Sequence, residues 1–182
     1  MRMFALTGIV AILLTNLVMA EDAPKPPAPQ KEHEWLKQLE GEWACANEMT
    51  FDPSKPPIQC KSTESVRSLG GFWTVGEMKG DFMGTPVTGV MTVGYDAKKQ
   101  KFVGTWVCSM DAHMCQYEGE LDAAGKVLTL NTTGLHPATG KLVKMKDVLE
   151  MKDADTRVMT STILGDDGKW LPFMIMTATR KK

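Results

Sequence analysis

Leu39-Glu40-Gly41-Glu42-Trp43 near the start of the chain and Thr179-Arg180 near its end carry the reading that decides the fold. The first stretch places a G-x-W at the head of a strand; the second ends the last strand on a guanidinium. In an antiparallel meander, strands pair in sequence order, so the first and last become neighbours only if the sheet closes on itself. Arg180 then lies over the indole face of Trp43, a cation–π contact of about 0.5–2 kcal/mol depending on desolvation. Trp43 and Arg180 are accordingly assigned structural roles at the base of a tube.

Between these ends the hydrophobic period is two. Short runs rich in Val, Thr, Met and aromatic residues alternate with turn formers roughly every ten residues, the pattern of a meander. Strands are expected near 42–51, 59–69, 71–79, 86–95, 101–109, 113–121, 126–133, 141–151, 156–164 and 169–180. Turn chemistry marks the gaps, as at Asp52-Pro53, Asp96, residues 122–125, residues 136–140 and Asp166-Asp167-Gly168. An open sheet of that size leaves two long unpaired edges, and closure removes them. The expected fold is therefore all-β, a closed antiparallel meander barrel of about eight to ten strands. One short N-terminal helix is expected over residues 32–40, from Trp35, Leu36 and Leu39 at helical spacing ahead of Gly41, and it should pack on an end of the barrel.

The first twenty residues read as a signal peptide. Arg2 supplies a positive start, residues 4–14 are apolar, and Val18-Met19-Ala20 presents small or apolar residues before Glu21. The apolar run is too short to span a bilayer, which takes about 20 residues, so no stable membrane insertion is expected after cleavage. Residues 21–31, with four prolines, form an extended linker, and residues 32–182 form one domain. The expected location is secreted or periplasmic. Without Arg2 the balance is 20 basic against 22 acidic residues, a formal charge of −2 with scattered lysines. That surface gives no electrostatic basis for nucleic-acid binding.

The pairing of G-x-W with a closing Arg resembles the lipocalin signature. Further motifs sharpen the likeness: Gly70-Gly71-Phe72-Trp73, Gly84-Thr85-Pro86, Gly94-Tyr95-Asp96, Trp106-Val107-Cys108-Ser109-Met110 and Pro137-Ala138-Thr139-Gly140-Lys141. Taken in order with residues 177–180, they resemble the bacterial family known as domain of unknown function 1579, across essentially the whole domain. The resemblance implies an exported lipocalin-like (calycin) barrel and carries no established activity. Cys108 and His136 stand where the family pattern has Asp.

All four cysteines lie in the exported part, which suggests disulfides. One pairing joins Cys108 to Cys115 across a hairpin tipped by Asp111-Ala112, setting Trp106 opposite Tyr117, Gly104 opposite Gly119 and Phe102 opposite Leu121. Cys45 with Cys60 then bridges the first hairpin, with a bulge or slipped strand to fit its Pro-rich loop. A competing reading of the second segment is copper(I) binding by Cys108, Met110, His113, Met114 and Cys115, because soft sulfur ligands favour that ion. Strand alternation sends Met114 away from Cys115 and a disulfide would consume both thiolates, so no metal site is assigned. His33 and His136 are read as solvated.

Of fourteen methionines, three (Met1, Met3, Met19) fall in the leader and eleven in the domain. Counting by two from Trp43 and Arg180 turns Met49, Met174 and Met176 inward. Together with Phe51, Met91, Trp106, Tyr117 and Met145 they form the expected lining of a cavity for a small apolar or amphipathic molecule, since flexible thioethers re-pack around varied guests. The alternative is a cell-envelope interaction or structural module whose interior is filled. No nucleophile elbow, zinc-protease helix or cofactor motif appears, so neither enzymatic activity nor a cofactor is expected. Glu64 and Glu77, both in strands, have two readings, an inward polar pair or a solvated face, and the solvated face is the expected one because charges are rarely buried. The oligomeric state stays open.

Overall fold

The computed structural model describes residues 28–52 and 54–182; the leader, and the linker up to residue 27, lie outside the described residues. A short helix α1 (Lys31–Leu36) tightens into a 3-10 turn (Lys37–Leu39) and leads into ten strands. These are β1 (Gly41–Met49), β2 (Ile58–Leu69), β3 (Trp73–Phe82), β4 (Thr85–Asp96), β5 (Lys101–Cys108), β6 (Cys115–Leu121), β7 (Val127–Leu135), β8 (Leu142–Met151), β9 (Thr156–Leu164) and β10 (Trp170–Arg180). Each pairs antiparallel with its chain neighbours, and β1 pairs with β10, so the sheet is a closed barrel.

The alternation that marked the strands is also what fills the interior. Along β1, Trp43, Cys45 and Asn47 are buried while their neighbours are exposed. Trp43, Phe102, Leu128 and Leu130 are the largest fully buried side chains. Burying one such side chain is worth about 1.5–3 kcal/mol, and alternation delivers a row of them from every strand.

The closing seam runs from Trp43 opposite Arg180 to Met49 opposite Met174. Gly41 explains the first letter of the G-x-W. It adopts φ +119°, and a Cβ there would sit 2.6 Å from Nη1 of Arg180, so only glycine leaves the guanidinium its path. Arg180 donates to the carbonyls of Glu40 and Gln38 (2.9 Å), which the end of the helical segment leaves unpaired, and to that of Ala154 (3.1 Å) in the turn between β8 and β9. The indole Nε1 of Trp43 donates to the Leu39 carbonyl at 2.9 Å. The helix therefore lies across this end, with Leu36 and Leu39 buried and Trp35 packed edge-on to Phe102.

His33 is a correction: it is 5 % exposed, not solvated. Its Nδ1 accepts from the Gln30 amide at 2.8 Å, so its Nε2 carries the proton facing the Tyr95 carbonyl at 3.2 Å. Phe72 and Tyr95 pack edge-on against the ring. The imidazole pins the helix start to the barrel.

The β5–β6 register is a second correction. Phe102 faces Gly119, Gly104 faces Tyr117 and Trp106 faces Cys115, two residues away from the expected alignment. The two glycines do not match one another; each serves its other neighbour. A Cβ on Gly104 would lie 2.0 Å from the Thr92 carbonyl oxygen of β4, and one on Gly119 would lie 1.9 Å from that of Thr129 on β7. Strands approach too closely there for any side chain.

The structure contains no disulfide among the described residues: Cys45, Cys60, Cys108 and Cys115 are unbonded to one another. Cys45 pairs with Ser62 while Cys60 pairs with Asn47, so the two cysteines sit diagonally. Cys108 lies two residues beyond Trp106, the partner of Cys115, which is the same diagonal. Diagonal neighbours stand about 7–8 Å apart, beyond the usual Cα span of a disulfide.

Candidate ligand-binding cavity

The helix, Trp43 and Arg180 close one end of the barrel, and the loops after β1, β3, β5, β7 and β9 surround the other. Inside lies a cavity of about 680 Å³ that reaches the loop end past exposed Met83 and Met110. Met49, Phe51, Met174 and Met176 line it from the closing seam. Met91, Trp106, Tyr117 and Met145 line it from the opposite strands, so the eight residues of the expected lining border one space. Nine methionines and three cysteines contribute to the wall, making it adaptable and polarizable rather than rigid. Trp106 lies over Gly89, where a Cβ would meet its ring at 2.2 Å; the missing side chain lets the indole lie flat against β4.

The floor is ionic. Arg157 donates from Nη2 to Oε2 of Glu64 at 2.5 Å, with side chains only 5 % and 12 % exposed. The guanidinium centres of Arg157 and Arg180 lie 4.5 Å and 4.2 Å from the Trp43 ring centre, so the indole supports two cations. Gly76 leaves space for the Glu64 carboxylate, which a Cβ would approach to 2.6 Å. Glu64 thus faces inward, contrary to the solvated reading, whereas Glu77 is exposed.

Higher up, the Tyr117 hydroxyl donates to Oδ2 of Asp147 at 2.5 Å, and Ser161 stands directly across from Asp147 on β9. Burial pushes Asp147 above the usual carboxylate range, and the two hydroxyls pull it partly back. Burial likewise raises the Tyr117 hydroxyl and the Cys115 thiol. A carboxyl whose folded pKa is raised penalises the fold only where it must ionise. The penalty is absent below the ordinary Asp value, grows as pH rises through it, and is complete above the raised value. Asp147→Asn should therefore gain stability relative to wild type on going from about pH 4 to about pH 8, measured by urea unfolding. A difference that does not change with pH would mean that Asp147 titrates alike folded and unfolded.

At the open end, Nε2 of His113 lies 3.0 Å from the Thr133 carbonyl, and Nδ1 of His136 accepts from the Ala138 amide at 3.1 Å. Met114 is 46 % exposed on the outer face. Among the described residues no three His, Cys, Asp or Glu side chains converge.

Arg157, Asp147, Asn47 and Ser161 line the cavity without having been anticipated. A signal for two of them lay in the strand phase. Asp147 shares its phase with Met145, Leu149 and Met151, and Arg157 with Met159 and Ile163. A charged residue in an apolar phase marks a buried, partnered group.

These features define the class: a closed ten-stranded antiparallel barrel with an ionic floor and an open, sulfur-lined interior. The chain belongs to the family described as Protein of unknown function (DUF1579), whose model matches residues 28–180. Among solved structures it is similar to the crystal structure of Rv2717c from M. tuberculosis, at 14 % identity and a TM-score of 0.64, covering 85 % of this chain and all of that one. At this identity the likeness concerns the fold. Two further barrels match with TM-scores below one half: a redesigned beta barrel, b11L5F_LGL (12 % identity, TM-score 0.44, 80 % of this chain and 94 % of that one), and EF1p2_mFAP2b bound to DFHBI (11 %, 0.45, 82 % and 99 %). No curated protein matches the chain.

Proposed function

We propose that this protein is an exported lipocalin-like carrier or receptor that holds one small apolar or amphipathic molecule inside its barrel, outside the cytoplasm. The observation that carries the reading is the cavity of about 680 Å³, within the roughly 300–1,000 Å³ of small-molecule pockets. A filled interior would have favoured the interaction-module reading. The wall suits an apolar guest, because polar side chains on it are paired with one another: Glu64 with Arg157, Asp147 with Tyr117 and Asn47 with Ser62. Exposed Met83, Met110 and Leu171 near the opening give such a guest an apolar threshold. The Arg2-led apolar leader and its Ala20 boundary support export.

Titration with an uncharged naphthylamine dye, whose emission rises on leaving water, tests the reading. Saturable binding near one dye per chain is expected, with quenching of tryptophan emission because Trp106 lines the cavity. A response that only grows linearly with dye would defeat the proposal. Native mass spectrometry of protein taken from its own host's envelope fraction should find a chain starting at Glu21 and carrying a small molecule.

A further inference from the structure

Three groups on the cavity wall have no role in closing the barrel: Asp147 on β8, Tyr117 on β6 and Ser161 on β9. Their residues are 8 %, 7 % and 3 % exposed, and all three line the cavity. Ser161 stands four residues beyond Arg157 on β9, a rise of ~13 Å at about 3.3 Å per residue, with Met159 in the same phase between them. This cluster of one carboxyl and two hydroxyls forms a shelf well above the ionic floor; the Asn47–Ser62 pair, hydrogen-bonded at 3.1 Å, is a separate polar patch on β1 and β2.

We infer that this shelf receives the head of the ligand, and that the head is an uncharged hydroxyl on an otherwise apolar body. The inference rests on the carrier reading above and adds the ligand's chemical class. The charges around the cavity select it. Arg157, which lines the cavity, is paired with Glu64 at 2.5 Å, and Arg180, which does not line it, with Asp155 at 3.4 Å, so the floor offers no net positive charge to an anion. Lys61, Asp81 and Asp111, also on the lining, are exposed and belong to the open end. A carboxylate head would meet the Asp147 carboxyl, and two carboxyl groups sharing a dry site cannot both ionise. An ammonium head needs Asp147 as an anion, which burial opposes. A hydroxyl both donates and accepts, matching a shelf of one carboxyl and two hydroxyls without adding charge.

The test uses three probes of equal chain length, decanol, decanoate and decylammonium, each competing with the naphthylamine dye on the full domain at neutral pH. Decanol is expected to bind about tenfold or more tightly than decanoate, the cost of desolvating a charge with no partner. Asp147→Asn keeps the shape and removes the ionisable group, so the preference should fall severalfold. Tyr117→Phe, which removes one hydroxyl and keeps the ring, should weaken decanol severalfold more than it weakens the dye, and it serves if the first variant does not fold. Decanoate binding as tightly as decanol, or decylammonium binding most tightly, would overturn the inference. Dye binding that none of the three probes displaces would do the same and leave the carrier reading intact. Absence of dye binding would strike the carrier reading itself.

Discussion

Trp43→Ala should cost about 3–5 kcal/mol and lower Tm by roughly 10 °C or more, the largest effect of any single truncation in this barrel. The indole is fully buried and does three things at once. It fills the closed end, donates to the Leu39 carbonyl, and presents its ring to Arg157 and Arg180. Removing it leaves a void beneath the cavity and takes from both guanidinium groups the surface that stabilises them away from water. Trp43→Phe keeps a ring and should recover a large part of the loss. Thermal unfolding followed by near-ultraviolet circular dichroism measures both variants. If the alanine variant unfolds within ~1 kcal/mol of wild type, the barrel is not closed through this residue.

Glu64→Leu should cost a similar ~3–5 kcal/mol, for a different reason: it strands the Arg157 guanidinium without its anion. The position is unforgiving. Nε of Arg157 already has no hydrogen-bond partner, so the charge depends on Glu64 and the Trp43 ring. Pairing Glu64→Leu with Arg157→Met removes both charges and should restore much of the stability, because a well-packed apolar pair often matches a buried ion pair. A double-mutant cycle by urea unfolding measures the coupling. Costs of the two single variants that simply add would show that the pair acts as two independent residues.

Much of the architecture was legible before any coordinates. Period-two alternation located all ten strands, and the misplaced ends have local causes. Residues 71 and 72 look like the opening of β3, yet Gly70 and Gly71 both take positive φ, and the Phe72 amide donates to the Leu69 carbonyl. The chain is turning there, and the strand begins at Trp73. On β1 and β10, the phase relative to Trp43 and Arg180 places Met49, Met174 and Met176 on the inner face, where they line the cavity. The polar members of the cavity were not legible in this way. Phase reasoning treats a carboxylate or guanidinium as a surface group unless its partner is known, and the partner of Arg157 lies 93 residues away.

What the sequence by itself determined is the set of strands, their inward faces, and closure through Gly41, Trp43 and Arg180. These depend on local alternation and on one contact between the chain ends. Only the tertiary structure decided the β5–β6 register, and with it the diagonal placing of Cys108 and Cys115. Gly104 and Gly119 look like a matched pair in the sequence, but they are small for the sake of carbonyls on β4 and β7. Whether the interior would be hollow was settled at the same level, because a void is the difference between the volume ten strands enclose and the volume their side chains fill. No single segment carries that difference.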